Sequence, residues 1–210
     1  MVFKNRKEAG ILLAKKLARY KNNPNVVVYA LPRGGVIIGD AVARFLSCPL
    51  DLVITRKIGH PNNPEYAIAA IAQNGKLIVE EADTADVDKK WLESEIERQQ
   101  KEIQRRRLEY VGGRSMIAAR GKIAILVDDG IATGLTIRVG AIELKRLKPQ
   151  KIIIAVPVAP ESSVSELLQV ADEVIALDTP SDLGAIGSFY QDFSPVEDRE
   201  VKTIMQKYKT

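Results

Sequence analysis

The run Ile123-Ala-Ile-Leu-Val-Asp128-Asp129-Gly-Ile-Ala-Thr133-Gly134-Leu-Thr136 constrains this chain more than any other stretch. Its nearly unbroken apolar start reads as a strand buried on both faces, the habit of parallel sheets. That strand delivers two adjacent carboxylates to its C-terminal edge, where open α/β sheets bind ligands. A short loop follows with glycines at 130 and 134 and hydroxyls at 133 and 136, and then a helix begins. Backbone N–H groups at a helix start, with hydroxyls beside them, form a phosphate cradle. A phosphate cradle beside carboxylates able to bind sugar hydroxyls describes a sugar-phosphate site.

The flanking pattern supports an α/β fold. Residues from about Arg6 to Tyr20 carry Ala9, Leu12, Leu13, Leu17 and Ala18 at helical spacing. Val26–Leu31 reads as a buried strand ended by Pro32-Arg33-Gly34-Gly35, Val36–Leu46 as a helix, and Leu50–Thr55 as a second strand, which implies a right-handed crossover. Glu65–Gln73 and Lys76–Glu80, split by Asn74-Gly75, predict a hairpin with a type I′ turn. Beyond the central run come strand Ile152–Val156, helix Glu161–Val170 and strand Glu173–Leu177. Strands alternating with helices predict a Rossmann-like parallel sheet flanked by helices. At 210 residues the chain is expected to be a single domain over 1–210.

One segment breaks the alternation. From Asp86 to about Tyr110 charges dominate, and the stripe Leu92, Ile96, Ile103, Tyr110 is sparse. Pairs such as Glu97/Lys101 and Glu102/Arg106 support a long exposed helix closed by Gly112-Gly113. So narrow a seam predicts a helical arm, about 86–112, leaning on the body or on a second subunit.

Composition mainly excludes. No apolar stretch reaches membrane-spanning length, the opening Met-Val-Phe-Lys-Asn-Arg has no signal h-region, and the expectation is a cytoplasmic protein without a membrane partner. The lone Cys48 forms no internal disulfide framework and reads as a packed, inert thiol. A net charge of +4 suits polyanionic ligands. Nucleic acid is disfavoured, because no helix-turn-helix, RRM or zinc pattern accompanies Arg105-Arg106-Arg107.

Two more segments bear on ligands. In Pro32-Arg33-Gly34-Gly35, glycines let the backbone approach a diphosphate and Arg33 can fork onto its oxygens. Thr55-Arg56-Lys57-Ile58-Gly59 adds two cations at a strand end, and His60 follows as a surface-loop histidine. The stretch Pro180 to Pro195 is irregular and glycine-rich, with Phe189, Tyr190 and Phe193 able to stack on a flat ring or close the core.

The central run resembles the signature of the type I phosphoribosyltransferases: four apolar residues, two acids, spacers, then Thr-Gly-x-Thr. The resemblance implies that the chain is a pentosyltransferase using 5-phosphoribosyl-1-pyrophosphate (PRPP) and Mg²⁺, with a nucleobase or nucleoside monophosphate as the other ligand. It implies that Asp128 and Asp129 act on the ribose, and that Gly130, Ile131, Ala132, Thr133, Gly134, Leu135 and Thr136 wrap the 5-phosphate. Mg²⁺ would come with PRPP, with Asp128 and Asp129 as possible protein contacts. Pro32, Arg33, Gly34 and Gly35 resemble the family's pyrophosphate loop, whose non-proline cis peptide would here be Arg33–Gly34. Arg56 or Lys57 would reach the diphosphate, as in adenine enzymes. A C-terminal hood, about 178–210, would cover the base through Phe189 and Tyr190, and a homodimer is expected. Ala132 stands where hypoxanthine–guanine enzymes carry an aspartate, which counts against a 6-oxopurine handled in the usual way. Thr84, Asp83 or Glu65 could supply a general base, and the spacing selects none. The alternatives are a PRPP- or nucleotide-sensing regulator of the same fold, and a nucleotide hydrolase or carrier on an unrelated Rossmann-like scaffold.

Overall fold

The computed structural model describes residues 1–79, 84 and 87–208. Glu80, Asp83, Asp86 and the last two hood positions therefore lie outside the described residues.

Five parallel strands form the main sheet: β1 (Val26–Ala30), β2 (Leu50–Leu52), β6 (Ile123–Val127), β7 (Lys151–Val158) and β8 (Glu173–Asp178), in the order β2-β1-β6-β7-β8. β1 is buried throughout, as an apolar run covered on both faces must be. Helices α1 (Arg6–Lys16), α2 (Gly34–Leu46) and α6 (Asp198–Gln206) pack into one core with residues such as Val28, Leu50 and Ile125. On the other face α4 (Leu135–Arg146) and α5 (Glu161–Leu167) cover Val27, Leu126 and Ile154. The chain order reverses between β1 and β6, whose registers match Ala30 to Val127. Loops leaving two such strands diverge to opposite faces and open a crevice at their C-terminal ends.

The second expected strand divides. Leu52 ends β2, Val53 donates its N–H to the Ala30 carbonyl at 3.1 Å, and the chain leaves the sheet. Thr55 then begins β3 (Thr55–His60) of a separate antiparallel sheet with β4 (Asn63–Ala72) and β5 (Leu77–Val79). The predicted hairpin is therefore β4–β5, with a different turn. Gly75 takes a φ of +83° while Asn74 is not left-handed, so the type I′ geometry is excluded. Ala72 O accepts from Gly75 N at 2.9 Å and Ala72 N donates to Lys76 O at 2.9 Å, a three-residue loop with glycine at the left-handed position. Ala70 and Ala72 of this sheet pack on Leu135 and Val139 of α4.

The arm is α3 (Lys89–Val111), capped by the Asp88 carboxylate, which accepts from Trp91 N at 2.8 Å. It lies along the body. Leu92 and Ile96 pack with Ile58 and Ile68 of the small sheet, and Ile103 and Tyr110 enter the main core. The narrow apolar seam suffices because polar groups go in with it. Arg107 donates from Nη1 to Asp51 Oδ1 at 3.2 Å and to Leu52 O at 3.0 Å. Asp51 is fully buried and also accepts from the N–H groups of Leu52 (2.8 Å) and Ile117 (2.7 Å). Cys48 is buried as expected, and burial pushes its thiol up to about 12. Among the described residues no helix is long and apolar enough to cross a membrane.

Candidate active site

Two loops meet at the crevice between β1 and β6. The Asp128-Asp129 pair leaves β6, and Pro32–Gly35 leaves β1 to begin α2. Leu31 N donates to Val127 O at 3.0 Å, locking the loops side by side. A Cβ built on Gly34 would stand 1.9 Å from Asp129 Oδ2, and one on Gly35 would stand 2.9 Å from Asp128 Cα. The glycines are thus required by the acids themselves, as well as by anything the loop binds. Gly34→Ala should cost about 1–3 kcal/mol by overpacking, read as a lowered urea midpoint with unchanged slope.

The non-proline cis peptide is at Pro32–Arg33, one bond before the expected Arg33–Gly34. Arg33 is the N-cap of α2, with its carbonyl accepting from Val36 N at 3.1 Å. The Arg33–Gly34 bond is therefore the first peptide of a helix, and helices are built from trans units.

Both carboxylates are shifted upward. Burial, then the neighbouring Asp129 charge, raises Asp128 well above the ordinary range. Burial also raises Asp129, opposed by Arg6, whose Nε donates to Asp129 Oδ2 at 2.6 Å. Asp129 N in turn donates to Asp128 Oδ1 at 2.8 Å. Two acids on one strand end, in little water, resist double ionisation.

A cavity of 320 Å³ opens beside the pair, lined by the run from Asp128 to Ile137 together with Lys57, Tyr66, Ala67 and Ile186. Gly134 caps α4, whose first N–H groups have no intrahelical acceptor and face this loop. Thr133 is exposed and Thr136 half-buried, whereas Ile131 and Leu135 are buried and serve the core. The Ile131 N–H is taken by Val158 O at 2.9 Å, and the Ala132 carbonyl accepts from Ser163 Oγ at 3.2 Å.

The other expected ligands divide. Lys57 reaches the cavity wall, while Arg56, on the opposite side of β3, donates from Nε to Gln99 Oε1 at 2.8 Å. Strand alternation sends neighbours to opposite faces. Arg33 pairs with Asp198 of α6, Nη1 to Oδ1 at 3.5 Å. Neither Phe189 nor Tyr190 lines the cavity, and Ile186 is the residue of the C-terminal stretch that does. Tyr190 is buried between Phe3 and Phe193, with ring centroids at 5.4 and 5.0 Å, so its faces are covered. Its hydroxyl donates to Asp129 O at 2.6 Å. His60 accepts from Asn62 N at 3.2 Å and is not among the residues that line the cavity.

Sequence reasoning missed Arg6, Tyr66, Ala67 and Ile186. Arg6 meets Asp129 across 123 positions, and no local pattern announces such a contact.

The chain is similar to known proteins in sequence and fold. A sequence model described as phosphoribosyl transferase domain matches residues 3–192. The Mycobacterium tuberculosis protein named "Putative phosphoribosyl transferase Rv0571c" is 36% identical over 208 residues, covering 98% of this chain and 47% of its own length. The chain thus spans about half the length of the curated relatives it matches. TT1426 from Thermus thermophilus, a solved structure, is 38% identical with a TM-score of 0.82 over 100% of both chains. The AQ2163 protein from Aquifex aeolicus shares the fold at 12% identity, TM-score 0.52, over 87% of this chain and 78% of its own.

Proposed function

The chain belongs to the phosphoribosyl transferase family, and on that premise we propose that it moves a phosphoribosyl group between PRPP and a nucleobase or related nitrogen acceptor, with pyrophosphate as co-product. The observation that carries this reading is the contact of Gly34 and Gly35 with the Asp128-Asp129 pair at the sheet's switch point. It brings a backbone suited to diphosphate against carboxylates suited to ribose.

In this reading the N–H groups from Ala132 to Thr136 and the hydroxyls of Thr133 and Thr136 hold the 5-phosphate. Lys57 approaches the diphosphate from the small sheet. Asp128 and Asp129 orient the ribose hydroxyls, and the negative charge that the pair carries favours the positive charge that develops at C1 as the glycosidic bond loosens.

Mg²⁺ fits these residues. The site offers hard carboxylate oxygens from Asp128 and Asp129, and among the described residues no group of three or more His, Cys, Asp or Glu forms a protein cage. That donor set suits an ion that keeps waters and arrives on a diphosphate. When bound it would neutralise the leaving diphosphate. The acceptor is read only by exclusion: Ala132 brings no carboxylate to the loop.

The test is pyrophosphate release from PRPP and Mg²⁺ against a panel of nucleobases, with PRPP binding measured in parallel. Release with at least one base is expected. Binding without release on any base would favour a regulator, and absence of PRPP binding would overturn the reading. Thr133→Ala/Thr136→Ala should bind PRPP on the order of 10-fold or more weakly through two lost hydrogen bonds to charge, with an unchanged melting temperature. Unchanged affinity would remove the 5-phosphate from this loop.

A further inference from the structure

We propose that Arg6 is a positioning residue for Asp129, one that sets the carboxylate's direction and ties the C-terminal segment to it. This rests on the reading above and deepens it.

Asp129 is held at both ends. Its carboxylate accepts from Arg6 Nε at 2.6 Å, and its main-chain carbonyl accepts from the Tyr190 hydroxyl at 2.6 Å. The Arg6 and Asp129 side chains are only 11% and 14% exposed. The guanidinium has further partners: Nη1 donates to Ser194 O at 2.8 Å, and its carbon lies 3.8 Å from the Phe193 ring centroid. Phe193 stacks on Tyr190, which closes a ring of contacts from Arg6 through the C-terminal segment back to Asp129. The missing Cβ of Gly34 would lie 2.9 Å from Arg6 Nε, so the glycine leaves room for the pair.

Two physical points separate this from an incidental ion pair. Arg6 is the first residue of α1, where the helix dipole disfavours a cation. A cation placed there against the dipole is compensated by Asp129. Second, a planar fork can bridge a carboxylate and a carbonyl while lying on an aromatic face, which an ammonium cannot do. The arrangement therefore restricts which way Asp129 presents its remaining oxygen to the cavity. A carboxylate left to rotate would meet the ribose in the productive direction only part of the time.

The experiment compares wild type, Arg6→Lys, Arg6→Gln and Arg6→Ala for PRPP binding and steady-state turnover, with melting temperatures as the check on folding. Arg6→Gln should lose on the order of 10–100-fold in kcat/KM, the usual cost of removing an orienting partner, with kcat carrying most of it. Free guanidinium should restore part of kcat to Arg6→Ala, and Arg6→Lys should recover part of the loss. Should the substitutions at Arg6 fail to fold, Phe193→Leu removes the platform under the guanidinium and should lower kcat in the same direction. A wild-type kcat/KM in a folded Arg6→Gln overturns the proposal. So does a loss confined to KM, or one that both guanidinium and lysine leave untouched. Wild type that neither binds nor turns over PRPP is a different result: it overturns the reading of the site itself, and this proposal falls with it.

Discussion

Asp51→Ala should destabilise the protein by about 3–5 kcal/mol, the range for breaking a buried ion pair from one side. The carboxylate is fully buried in the middle of β2. It is 3.2 Å from Arg107 Nη1 and 3.6 Å from Arg114 Nη2, and it accepts two backbone N–H groups besides. Removing it leaves the Arg107 and Arg114 guanidinium groups without their buried counter-charge and two amide donors without this acceptor, while α3 loses one of the contacts that hold its C-terminal half. The measurement is the urea midpoint at constant slope, with far-UV circular dichroism to show that α3 persists in the native state. A midpoint shift worth less than about 1 kcal/mol would mean that water replaces the carboxylate at little cost. Asp51→Asn should lie between, since the amide oxygen keeps the acceptor but loses the charge.

The second large effect has opposite signs in stability and function. Asp128→Asn should raise the melting temperature at pH 7 while lowering turnover on the order of 10²–10³-fold, as loss of a charge-stabilising group does. The stability gain follows from the raised carboxyl. A group that titrates above its ordinary 3.8 in the folded state prefers to fold protonated. Its contribution is fully present below 3.8 and is lost as pH rises through the folded value. At neutral pH holding this carboxyl in the folded state costs free energy whether it stays ionised or takes up a proton, and the amide removes that cost. Asn can still accept from Asp129 N, so the strand end keeps its shape. The gap between Asp128→Asn and wild type should close on acidification towards about pH 4 and widen towards neutrality. Equal melting temperatures across that range would show that the pair is better solvated than its burial implies. For a chain of this length each kcal/mol is worth about 2–4 °C.

What could be read from the sequence was what is written contiguously. Strand, acid pair, loop and helix start occupy adjacent positions from Ile123 to Thr136, and strand burial plus turn chemistry sufficed to place them. The segment Pro32–Gly35 was found in the same way, but its cis bond lies one position earlier than expected and its two glycines already form the first turn of α2. Long-range partners were illegible for a physical reason: Arg6 with Asp129, Arg33 with Asp198 and Tyr190 with Asp129 meet because the sheet's topology folds distant segments together. The division of Leu50–Thr55 was equally hidden, because Val53 and Ile54 are as apolar as the strand before them and are fully buried too. The arm shows a third kind of miss. Counting apolar positions found Ile103 and Tyr110, but Gln99 and Arg107 go inward as hydrogen-bonded polar groups, which no hydrophobic periodicity records.

The contacts around Asp129 also have an order in time. A ribosome makes Arg6 first, its carboxylate partner 123 residues later, and the Ser194 carbonyl 188 residues after Arg6. By then β8, which ends at Asp178, has already been made. All five parallel strands are thus synthesised before the last neighbours of the acid pair.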